Sequence, residues 1–203
     1  MNAIQKSILR SIPFGLFAFV LPACAAPQQA ATETTPQRHR LMAEALRAGE
    51  RAETAPAESA QDLADAAWRL QRIGAMPLPG AEDLAVRWQR VAAEHGAKPQ
   101  PHPPMRGRAL GAAYRRDRLG ANAESITRQV FLAGTRAVVT VVPADGDADL
   151  QLQVSRDGAD PACAREVGAP HATCEWIPSF TQRYTIRVSN AGARQAEYFL
   201  IIN

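Results

Sequence analysis

Ala148-Asp149-Leu150-Gln151-Leu152-Gln153-Val154 sets apolar residues at every second position, and two later stretches repeat the pattern. Tyr184, Ile186 and Val188 alternate with Thr185 and Arg187, and Tyr198, Leu200 and Ile202 alternate with Phe199 and Ile201. A period of two places one set of side chains on one face of a strand. Val138 to Val142 is instead an unbroken run, almost all of it valine, which predicts a strand buried on both faces. Turn signals separate these runs at Ala133-Gly134-Thr135, Asp145-Gly146-Asp147, Asp157-Gly158 and Asn190-Ala191-Gly192. Strands at this spacing predict an antiparallel β-sandwich over residues 124–203.

Upstream the period changes. Gln37 to Arg51 reads as a helix, with Leu41, Ala45 and Ala48 on one face and Met42 and Leu46 on the next. A second helix runs over 59–73, with Ser59 as its N-cap and Gly74 as its stop. A third runs over 81–95, with Leu84, Trp88 and Val91 at i, i+4, i+7 and Gly96 at its end. The last two form an antiparallel hairpin with Trp68 or Trp88 at its seam, or pack on the sandwich. The fold class is therefore α+β: a short N-terminal helical segment, then a jelly-roll-like antiparallel β-sandwich.

Between them, Pro99, Pro101, Pro103 and Pro104 predict an extended, semi-rigid linker over 97–123. Arg106, Arg108, Arg115, Arg116 and Arg118 follow. They read either as a basic patch facing anionic lipid or polymer, or as a solvated linker, with Tyr114 and Leu119 as apolar anchors.

The amino-terminal stretch is different again. Lys6 and Arg10 precede an apolar run from Ile12 to Leu21 and the small-residue region Pro22-Ala23-Cys24-Ala25-Ala26. This is the pattern of a secretory signal peptide over 1–25, too short to span a bilayer. Two cleavage readings stay open. Leu21-Pro22-Ala23-Cys24 resembles a bacterial lipobox, which would acylate Cys24; cleavage after Ala25 or Ala26 would instead release a soluble chain. Residues 26–36 form a polar leader. The expected location is the periplasm or outer membrane of a Gram-negative bacterium.

With 203 residues, 46% of them hydrophobic but only 6% aromatic, a large apolar core has to be concentrated locally. The formal charge of +3 drops to +1 once Lys6 and Arg10 are removed, which argues against nucleic-acid binding. Of the three cysteines, Cys163 and Cys174 bracket a short loop without strand pattern and are expected to be bridged in an oxidising compartment. That leaves Cys24 as the odd one.

Residues 129–203 resemble the bacterial pre-peptidase C-terminal domain. The pieces that carry the likeness are Phe131-Leu132-Ala133-Gly134, Asp147 to Val154, Cys174-Glu175-Trp176-Ile177-Pro178, Tyr184 to Val188 with Asn190 and Gly192, and Tyr198-Phe199-Leu200. The resemblance implies a jelly-roll-like sandwich with an accessory role in secretion, stability or the binding of a substrate or matrix. Gln151 and Gln153 depart from that family's pattern of a second acid and an aromatic or hydroxyl residue.

For chemistry the sequence offers little. Asp145, Asp147 and Asp149 around Gly146 could supply oxygen ligands to Ca²⁺, or simply cap a charged turn. No other cofactor is expected. Metalloprotease, nucleophile-elbow, phosphate-loop and Cys-x-x-Cys motifs are all missing, and His39, His95, His102 and His171 are scattered. Trp176 and Tyr184 are core aromatics or a sugar-stacking platform. The expected function is that of an exported, non-catalytic cell-envelope protein whose sandwich binds an envelope protein or polysaccharide or has a structural role. The alternatives are an accessory protein of a secreted hydrolase and a calcium-dependent carbohydrate or matrix binder.

Overall fold

A computed structural model of the chain describes residues 34–101, 111–144, 146, 148–156 and 160–203. The predicted signal peptide and Cys24 lie outside the described residues. Residues Glu33–Asn203 form one compact unit.

The strands are β1 (Met76–Pro77), β2 (Ala113–Leu119), β3 (Glu124–Phe131), β4 (Ala137–Pro143), β5 (Leu150–Arg156), β6 (Pro161–Val167), β7 (Ala172–Trp176), β8 (Gln182–Asn190) and β9 (Ala196–Ile202). They build a five-stranded sheet in the order β1-β2-β9-β4-β7 and a four-stranded sheet in the order β3-β8-β5-β6. Strands β2 to β9 thus follow the order of a jelly roll. All pairings are antiparallel except the short β1–β2 pair.

The period-two residues explain the layers. Leu150, Leu152, Val154, Ile186 and Val188 meet Val139, Val141, Tyr198, Leu200 and Ile202 in one core between the sheets. The other face of the larger sheet presents Tyr114, Val142, Phe199 and Ile201 to the helices, forming a second core. Strand β4 is consequently buried along its whole length. Each fully buried side chain of this kind is worth at most about 1.5–3 kcal/mol.

Three helices cover that face: α1 (Thr35–Glu53), α2 (Ala60–Arg72) and α3 (Leu84–Glu94). Helix α1 lies on β4 and β9, and α2 packs against both other helices. The leader is shorter than expected, because Thr34 caps α1 and Pro36 falls in its first turn, where the missing N–H costs nothing. Ser59 occupies the N-cap of α2 but makes no side-chain capping bond, whereas Asp83 caps α3 through the amides of Ala85 and Val86. Trp88, not Trp68, is the buried indole. Its ring lies against Gly49 of α1 so closely that a Cβ there would stand 2.2 Å from it.

Two expectations need correction. The segment 97–123 is not linker throughout: residues 113–119 form β2, beside β9. Its apolar residues fall on opposite faces, Tyr114 in the helix-side core and Leu119 in the sandwich core. The intervening arginines hid that alternation. Cys163 and Cys174 lie on strands rather than in a loop, β6 in one sheet and β7 in the other. Strand β6 is exposed over most of its length, so burial imposed no alternation on its sequence.

The two long edges of the sandwich are closed differently. A disulfide joins Cys163 to Cys174 across one edge. At the other, Arg115 of β2 reaches β3, donating to Thr127 Oγ1 at 2.7 Å and Ser125 Oγ at 3.3 Å, while Asp117 holds its Nε at 2.5 Å.

Candidate functional site

On β2 the described arginines are engaged within the fold. Arg116 donates to Glu50 at 2.6 Å and Glu53 at 3.0 Å on α1, and to Glu197 on β9 at 3.0 Å. Arg118 also bonds Glu197. Burial opposes both charges, but these contacts outweigh it: the Glu197 carboxyl is held below its ordinary range and the Arg116 guanidinium above its own. The Trp88 indole N–H donates to Glu53 at 3.1 Å, and Arg87 pairs with Glu53 and Glu82. This network clamps the helices to the sheet and leaves no free cationic patch on β2. Arg106 and Arg108 lie outside the described residues.

The acidic turn stands at one end of the sandwich. Asp149 is exposed there, in an open cleft of about 670 Å³ lined also by Gly146, Asn190, Gly192, Arg194 and Gln195. Asn190 is buried and holds the turn together. Its Nδ2 donates to the carbonyls of Gly120 at 2.9 Å and Arg194 at 2.7 Å, and its Oδ1 accepts from the Gly192 amide at 3.0 Å. The Ala191 amide donates to the Asp149 carbonyl at 2.8 Å. Asp145 and Asp147 lie outside the described residues. Among the described residues, no three His, Cys, Asp or Glu side chains converge on a metal position.

Among the described residues the histidines do not form a catalytic group. His39 of α1 is 1% exposed and lies over the sheet, its Nδ1 3.0 Å from Thr140 Oγ1, which is in turn 3.0 Å from Thr173 Oγ1. Burial pushes its pKa down to about 4, with Arg38 and His171 adding repulsion. His39 and Thr140 are buried beneath the helix, so this chain of hydrogen bonds fastens α1 to the sheet. His171 stands half-buried, and burial and the nearby Arg47 lower its pKa although Glu44 opposes them.

The opposite end of the sandwich carries a feature the sequence reading missed. Leu132 and Ile177 are each 60% exposed and Phe180 is 70% exposed. They sit on the β3–β4 and β7–β8 connections, which are tied together: the Gly134 amide donates to the Pro178 carbonyl at 2.9 Å and the Ala133 amide to Thr181 Oγ1 at 3.0 Å. Beneath them Phe131 packs edge-on against Trp176 and Tyr184, which are tilted against each other, with ring centroids 4.9–5.7 Å apart. Trp176 and Tyr184 are therefore the supporting layer, not a stacking platform. Along β3, Ile126 and Val130 are also exposed on the outer face, on either side of Arg128. The sequence signal was present: apolar residues occupy both parities of β3, though no helix among the described residues covers its sheet.

No family model matches the chain, and no curated protein matches it in sequence. Among solved structures, the chain is similar to the pre-peptidase C-terminal domain of a collagenase from Bacillus anthracis, with a TM-score of 0.41 and 8% identity over 45% of this chain and 89% of that one. It is also similar to a mitogen from Yersinia pseudotuberculosis, with a TM-score of 0.39 and 11% identity over 46% and 85%. A third is a periplasmic inhibitor of g-type lysozyme from Aeromonas hydrophila, with a TM-score of 0.33 and 20% identity over 45% and 84%. These are likenesses of fold, and the first is to the family that the residues of the sandwich resemble. Among the described residues no helix is long and apolar enough to cross a membrane.

Proposed function

We propose that this chain is an exported, non-catalytic binding module of the cell envelope, and that the end of the sandwich bearing Leu132, Ile177 and Phe180 is its binding surface. The observation that carries this reading is the exposure of three large apolar side chains on cross-tied connections over a packed aromatic layer. Folded chains avoid clustering such residues on the surface unless something covers them. The disulfide supports an oxidising compartment, in line with the export signal read at the amino terminus. Cys24 is proposed as a lipid attachment point only if the lipobox reading holds.

Purified cell envelopes test this reading. Residues 33–203 should sediment with them, and Leu132→Ser/Ile177→Ser/Phe180→Ser should lose most of that association while keeping the wild-type circular dichroism. Equal sedimentation of both proteins would overturn the assignment of the surface, and a failure of both to sediment would overturn the binding role.

A further inference from the structure

We infer that the apolar end of the sandwich docks on an anionic phospholipid bilayer. The inference rests on the reading above and names the surface that Leu132, Ile177 and Phe180 meet. The charges around the tip point that way. Arg128 and Arg183 are exposed on the outer face of the smaller sheet, where Arg128 is paired in register with Thr185, and Arg183 with Val130. Arg156 ends β5 beside Tyr184, at the same end. None of these three has an acidic partner among the described residues, whereas Arg136 is taken up by Glu175. The other described acid close by is Asp160, next to the start of β6.

The tip therefore presents side chains of two kinds at two levels. Leu132, Ile177 and Phe180 are outermost, on the connections. The guanidinium groups stand behind them along the strands. That order matches a bilayer surface met from outside, with apolar side chains reaching the acyl boundary and arginines at the depth of the phosphates. Asp149 and Glu166 lie toward the other end of the sandwich, since Gln151, the partner of Glu166, is in register with Ser189, while Glu124 there is paired with Arg187. An anionic surface thus favours this orientation over the reverse one.

The test uses residues 33–203, the compact unit with its own core and disulfide, and protein-free vesicles of phosphatidylglycerol and phosphatidylcholine or of phosphatidylcholine alone. The wild type should float with the anionic vesicles, and at least tenfold less with the neutral ones. Phe180→Ser/Leu132→Ser should weaken flotation roughly tenfold. Arg128→Gln/Arg183→Gln should weaken it by about fivefold per arginine, and added salt should do the same. Flotation unchanged by either pair overturns the inference. So does a wild type that binds cell envelopes but not vesicles, an outcome that leaves the binding role standing and assigns the surface to a protein or polysaccharide. Tip-dependent dimerisation in analytical ultracentrifugation, without vesicle binding, also overturns it.

Discussion

At the scale of single residues, the fold is most exposed to change where polar or small groups lie inside it. His39 is the clearest case. Burial lets the folded chain refuse a proton until about pH 4, while the unfolded chain takes one up near its ordinary pKa of 6.5. The stability this represents is fully present above about pH 6.5 and should drain away as the pH falls toward 4, by about 3 kcal/mol in all. Urea titrations between pH 7 and 4 would read this slope, and His39→Gln should flatten it. A slope unchanged in that variant would show that another group carries it. Gly49 is a second case. A methyl group there would enter the Trp88 ring, so Gly49→Ala should destabilise by about 1–3 kcal/mol despite the better helix propensity of alanine. A melting temperature equal to or above that of the wild type would contradict the packing described here.

At the scale of elements, the question is what holds helices to sheet and sheet to sheet. Arg116 reaches three carboxylates from two elements, and its loss would leave Glu50, Glu53 and Glu197 close together without it. Arg116→Gln should therefore cost roughly 1–3 kcal/mol, less than a fully buried pair because the cluster is partly open to solvent. The loss should shrink when Glu197 is also changed to Gln, and a double-mutant cycle with no coupling would sink the clamp. Several elements are legible in the sequence alone. The alternation in β5, β8 and β9 and the valine run of β4 correctly located strands, one of them buried on both faces, because burial writes its period directly into sequence. Helix α3 was legible from Leu84, Trp88 and Val91 at i, i+4, i+7. Strand β2 was not, because salt bridges occupy positions where a core strand would show apolar residues. Strand β6 was not, because an exposed edge carries no burial pattern. The apolar end was hidden for a related reason: Leu132, Ile177 and Phe180 look like core residues until the fold places them exposed at its surface.

At the scale of the whole molecule, helices and sandwich are two sides of one central sheet. Phe199 and Ile201 face one core, while Tyr198, Leu200 and Ile202 face the other. A fragment of residues 124–203 lacks both β2 and the helices, and would bare Val142, Phe199 and Ile201 to water. It should aggregate on refolding, whereas residues 33–203 should melt in one cooperative transition by calorimetry. A soluble, cooperatively folded 124–203 fragment would show that the sandwich stands alone. The placement of β9 has a further consequence, in time rather than space. This strand sits between β2 and β4 in the larger sheet and supplies both cores, yet it is made after every other strand among the described residues. Neither core can close until residues 196–202 have been synthesised. A growing chain of this design stays open until that strand has been made, and an open chain is the state that threading across a membrane before folding requires.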